Sequence, residues 1–85
     1  MDRVAGALLI YGFERKSQSA NNAVFGADRY EVSATTWKEG THTHLAVSVW
    51  ETAASGGRWV RYSDTGDFDW VLESLIDWIT EHRNG

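Results

Sequence analysis

His42 and His44 stand two residues apart, so on one strand both would point to the same face and could reach one metal ion. The third histidine, His82, lies far along the chain, and no cysteine supplies a thiolate. Two histidines on one strand are read as polar surface, and no metal site is expected. Nucleophilic catalysis is no better provided for. Serines and carboxylates are plentiful, but none stands in a nucleophile-elbow pattern. Gly56-Gly57 reads as a turn between strands, whereas a phosphate-binding glycine loop opens a helix. The chain is read as non-enzymatic, with no catalytic residue and no cofactor. An enzyme with an unrecognised site is kept as a third alternative.

What remains is binding, and two features of the composition bear on it. The 85 residues include five Trp, three Tyr and three Phe. That is more Trp than one helix on one sheet needs to fill its core. The formal net charge of −4 is also unevenly placed. Residues 1–29 are net +1, residues 30–63 are neutral, and residues 64–85 hold six acidic side chains against one basic. The acidity belongs to the C-terminal segment.

These side chains must be positioned by a small scaffold. A chain this short makes one domain at most, residues 1–85, and buries about 60–65% of its unfolded surface. Its 42% hydrophobic and 24% charged content, mixed in sign, excludes a disordered tail. The lack of cysteine favours a reducing, cytoplasmic setting. The apolar run Val4–Ile10 has no cleavage signal after it and is too short to cross a bilayer, so no membrane partner is expected.

The expected fold class is α+β, an antiparallel sheet of about four strands followed by one C-terminal amphipathic helix. Val4–Phe13 has apolar residues at both parities. A short helix competes there, but Gly6, Gly12, Val4, Ile10, Tyr11 and Phe13 favour a strand. Residues 14–28 are left as a loop, with Ser17–Asn22 its clearest part. Tyr30–Trp37 and His44–Trp50 alternate and pair across a four-residue turn, Lys38–Thr41. That turn sets Ala34 opposite Leu45, Val32 opposite Val47 and Tyr30 opposite Val49. Ala53–Gly57 turns into a short strand, Arg58–Tyr62, with Val60 and Tyr62 on the core side. Asp67 caps a helix running to about His82, whose inner stripe is Phe68, Val71, Leu72, Leu75, Ile76 and Ile79. Asn84-Gly85 stand where a C-terminal cap is expected.

Two surfaces follow. On the back of the helix, Trp70, Glu73, Asp77 and Glu81 fall at i, i+3, i+7 and i+11, with Trp78 on the border. They form an acidic ridge with a Trp on it, suited to a basic partner. The plainer alternative is a solvated face, with Trp70 lying back on Asp64–Gly66. The second surface is the outer face of the sheet, which should hold Trp37, His42, His44, Trp50, Trp59 and Arg61. It is exposed, covered by the 14–28 loop, or buried in a homodimer. Trp37, Trp50, Trp59 and Arg61 could also stack on and hold single-stranded nucleic acid.

The strands followed by one helix, with Gly57-Arg58-Trp59 entering the last strand and Trp70-Val71-Leu72 early in the helix, resemble the single-stranded-DNA-binding transcriptional coactivators. That resemblance covers the last 55 or so residues and implies DNA binding on the sheet. In type, a small, acidic, cysteine-free domain without catalytic motifs is similar to phage-encoded inhibitors such as anti-CRISPR proteins, and to toxin-immunity proteins. The leading expectation is a small acidic protein that covers a basic site on a partner protein through Trp70, Glu73, Asp77 and Glu81.

Overall fold

Val4 and Leu8 are one helical turn apart and both are fully buried. In the computed structural model, which describes residues 1–83 in backbone and 1–82 in side chains, they form the inner face of helix α1, Asp2–Leu9. The expectation of a strand over Val4–Phe13 is thus overturned. Gly12 serves as a helix stop. Its φ of 85° is left-handed, its N–H donates to the Leu9 carbonyl (3.0 Å), and the Phe13 N–H donates to the Leu8 carbonyl (3.1 Å). This pair of bonds is the Schellman motif, and its usual apolar contact is supplied by the buried Leu8 and Phe13.

Residues 14–28 are not a loop. They form a hairpin of β1 (Glu14–Gln18) and β2 (Asn22–Ala27), which joins β3 (Tyr30–Glu39), β4 (His42–Thr52) and β5 (Arg58–Asp67) in one antiparallel sheet of order β1-β2-β3-β4-β5. The sheet therefore has five strands rather than about four, and the α+β class with a C-terminal helix holds. All five residues of β1 are exposed and polar, so the strand carries no alternation by which a sequence pattern could mark it.

The β3–β4 turn is two residues shorter than expected. Glu39 pairs with His42 across Gly40-Thr41, and Gly40 has φ 63°, as the first central position of a type II′ turn requires. Val32 consequently faces Val49, and Ala34 faces Val47. The expected register is corrected by two residues. An even shift leaves every side chain on its expected face.

β5 runs to Asp67, well past Tyr62, and carries an extra residue. Val49 pairs with Tyr62 and Trp50 with Val60, which leaves Arg61 as a bulge. Val60 is thereby turned to the outer face and is 47% exposed, against its expected core position. A matching irregularity places Lys16 as the extra residue of β1. Both outermost strands thus carry a bulge at a basic residue.

Helix α2, Phe68–Arg83, starts as expected: the Asp67 carboxylate accepts the Trp70 N–H at 3.4 Å. Val71, Leu72, Leu75 and Ile79 are buried, and Phe68 and Ile76 pack against the core. At about 1.5–3 kcal/mol per large side chain, this burial far outweighs any surface ion pair, worth about 0–1 kcal/mol. The expected cap at Asn84-Gly85 lies outside the described residues. The helices run side by side and in the same direction on one face of the sheet. Arg3 pairs with Asp69 (2.6 Å) at one end, and Tyr11 Oη meets Thr80 Oγ1 (2.9 Å) at the other. No helix among the described residues is long and apolar enough to cross a membrane.

The two glycines of the first helical segment should respond in opposite senses. Gly12→Ala forces a side chain into left-handed backbone and should lower stability by about 1–2 kcal/mol. Gly6→Ala meets nothing within 4 Å and should raise it by about 0.5–1 kcal/mol. Urea unfolding midpoints of the two variants check both signs.

Candidate functional site

The outward side of α2 carries Trp70, Glu73, Asp77 and Glu81, all exposed. Their spacing keeps them on one line along the helix, opposite the buried stripe. Glu73, Asp77 and Glu81 form no ion pair among the described residues. Asp69, one step around toward α1, is matched by Arg3, whose guanidinium also lies 4.9 Å from the Phe68 ring. Negative charge is thus left uncompensated on the ridge and neutralised beside it. Trp70 is 59% exposed. One edge of its ring leans toward Gly66, where an added methyl would come within 3.8 Å of Cε3. The lean toward the strand end and the open outer edge of the indole therefore coexist.

Trp78 belongs elsewhere. It is partly buried and stacks on Tyr62 (5.7 Å between ring centres, 28°) and on His82 (4.2 Å, 13°), with Tyr30 edge-on at 6.3 Å. The His82 Nδ1–H donates to the Trp78 carbonyl at 2.8 Å. This cluster fixes the second half of α2 over β3 and β5. Tyr62 donates its hydroxyl to Asp64 Oδ2 at 2.9 Å. Burial pushes the Tyr62 pKa up to about 12 from 10.0, helped by the hydrogen bond to Asp64 and by the charges of Asp64 and Asp77.

The outer face of the sheet is left uncovered by the chain's own elements, because the β1–β2 hairpin lies in the plane of the sheet. The expected six side chains do not all gather there. Trp37, His42, His44 and Trp50 do. Trp59 pairs with Glu51 and so takes the opposite parity, and the bulged Arg61 also turns to Glu51. Glu51, at 7% exposure, is held between Arg61 and Arg29 (3.3 Å to the latter), which compensates its buried charge. Arg58 comes to the outer face instead. It sits 5.0 Å from the Trp50 ring and pairs with Glu31 at 2.9 Å. Trp37 is stacked by His44 (5.5 Å, 16°), and its Nε1–H donates to Glu39 at 3.2 Å. Both face tryptophans are thus already partnered within the chain. His42 is exposed, and no group of three or more His, Asp or Glu side chains suited to a metal forms among the described residues.

Sequence reasoning missed one exposed feature. Leu9 is 68% and Ile10 81% exposed at the end of α1. The signal was present in the Val4–Leu8 spacing with Gly12 as a stop, since that phase turns Leu9 and Ile10 outward. The chain matches no protein family, no curated protein and no solved structure.

Because the folded Tyr62 pKa is raised, its contribution is fully present below pH 10 and lost as the pH climbs toward 12. Unfolding free energy should therefore fall across that window. Tyr62→Phe should cost about 1 kcal/mol at neutral pH and make the fall shallower. Urea titrations of both proteins at pH 8, 10 and 12 test this.

Proposed function

We propose that this chain is a small non-enzymatic binding protein that engages a basic surface of another protein through the back of α2, and that it inhibits by covering that surface. The observation that carries the reading is the uncompensated charge of Glu73, Asp77 and Glu81 beside a 59%-exposed Trp70. An aromatic with an open edge supplies contact area that excludes water, and the three carboxylates steer a cationic partner into place. A rigid helix pinned along its inner stripe presents both with little ordering cost. The cysteine-free composition fits action in a reducing, cytoplasmic setting.

The alternative of single-stranded nucleic acid on the sheet has less behind it. Of Trp37, Trp50, Trp59 and Arg61, only the first two share the outer face, and Arg58 there is already paired with Glu31. A backbone-tracking groove needs free cations. A homodimer through the same face is the other use of that surface, and the face is open to it.

Once the partner is in hand, reversing Glu73, Asp77 and Glu81 to Lys together should leave the circular dichroism spectrum unchanged, since all three are exposed. Binding should weaken by at least about 100-fold, roughly 1 kcal/mol per carboxylate. Calorimetric titration reads the change, and an unaltered Kd refutes the α2 reading.

A further inference from the structure

The side of α1 turned away from α2 borders a hollow of about 530 Å³, a size within the roughly 300–1,000 Å³ of small-molecule sites. α2 lies on the other side of the helix, where Arg3 and Tyr11 meet it. Ala5, Gly6 and Leu9 form one wall of the hollow, and Phe13 and Phe25 its floor. Leu9 is 68% exposed, so most of its surface lacks apolar cover. Gly6 keeps the hollow open. An added Cβ there would meet nothing within 4 Å, so packing does not call for glycine, and glycine inside a helix weakens it. Its effect is to leave the space beside Leu9 unfilled.

The charged groups of the hollow are Asp2, Glu14 and Arg15. Among the described residues, Arg3, Arg29, Arg58 and Arg61 each hold a carboxylate, and Arg15 holds none. Arg15 pairs with the buried Phe25 across β1 and β2, which sets it on the helix side of the sheet. Glu14 alternates with it and also borders a second hollow on the opposite face, together with Lys16. An apolar wall and floor beside an unpaired guanidinium suit a molecule with an apolar body and an anionic head. The nearby Asp2 and Glu14 favour a head with a single negative charge over a doubly charged phosphate. We propose that this hollow binds a small aliphatic monocarboxylate. Its apolar body lies along Ala5, Gly6 and Leu9 over Phe13 and Phe25, and its carboxylate accepts the N–H donors of Arg15. The site shares no residue with the acidic ridge of α2, so it stands or falls apart from that reading.

The test is calorimetric titration of the whole chain with octanoate, octan-1-ol and octylamine, all at concentrations where they are monomeric. Octanoate should bind at least about tenfold more tightly than the alcohol, and the amine no more tightly than the alcohol. Arg15→Gln should bring octanoate down to the affinity of the alcohol and leave binding of the alcohol unchanged, which also shows that the variant is folded. Gly6→Leu fills the hollow and should remove binding of all three. Its thermal unfolding midpoint should be no lower than that of the parent, since leucine favours the helix over glycine and nothing stands within 4 Å of the new Cβ. Alcohol or amine bound as tightly as octanoate overturns the carboxylate assignment. An octanoate Kd unmoved by Arg15→Gln or by Gly6→Leu overturns the hollow as the site, and no binding of octanoate overturns the proposal outright.

Discussion

Val71, Leu75 and Ile79 share one buried cluster with Leu45, Val47 and Val49, and the rest of the molecule is arranged around that contact. A sheet of five strands offers two faces, and a chain of this size has material to cover only one. Both helices are committed to the same side. α1 adds Val4 and Leu8 to the cluster, and the Schellman turn brings Phe13 in behind them. The choice of side then dictates everything outside. The uncovered face carries small polar residues and tryptophans that are stacked or capped within the chain. The backs of the helices carry what the core rejects.

The legible part of the sequence was the part with a period. β3, β4 and α2 alternate or repeat cleanly, and their faces were right even where the turn length was not, because an even register error preserves parity. What failed had no period to read. Glu14–Gln18 is polar throughout, and its membership of the sheet is set by pairing with Val24 and Phe25 rather than by its own side chains. α1 is eight residues long, too short for an apolar repeat to stand out from a buried strand. Gly12 suits a strand end and a helix terminator alike, and only its left-handed φ of 85° shows that it is the terminator. Of the candidate residues, the ridge on α2 came straight from the helical wheel. Trp59 and Arg61 were misplaced because a bulge adds one residue without leaving a mark in the pattern.

The two bulges also bear on how the molecule meets others. The outermost strands have unpaired backbone groups and invite pairing with another chain. Here each is interrupted by an extra basic residue, Lys16 on one side and Arg61 on the other, which bends the strand and brings charge to it. Edge-to-edge growth is disfavoured at both ends of the sheet.

The clamp between α1 and α2 ties residues far apart in the chain, 69 positions in the case of Tyr11 and Thr80. Translation at about 5–20 residues per second separates the completion of α1 from the start of α2 by roughly 3–12 s. Hairpins such as β1–β2 and β3–β4 need only about 1–10 μs to form. On the ribosome β1–β4 can therefore pair while α1 still lacks α2 beside it, so that Val4 and Leu8 have only part of the cover they have in the finished cluster. α1 therefore gains its full set of contacts only once α2 has been made, and until then the apolar side of the sheet stays partly open.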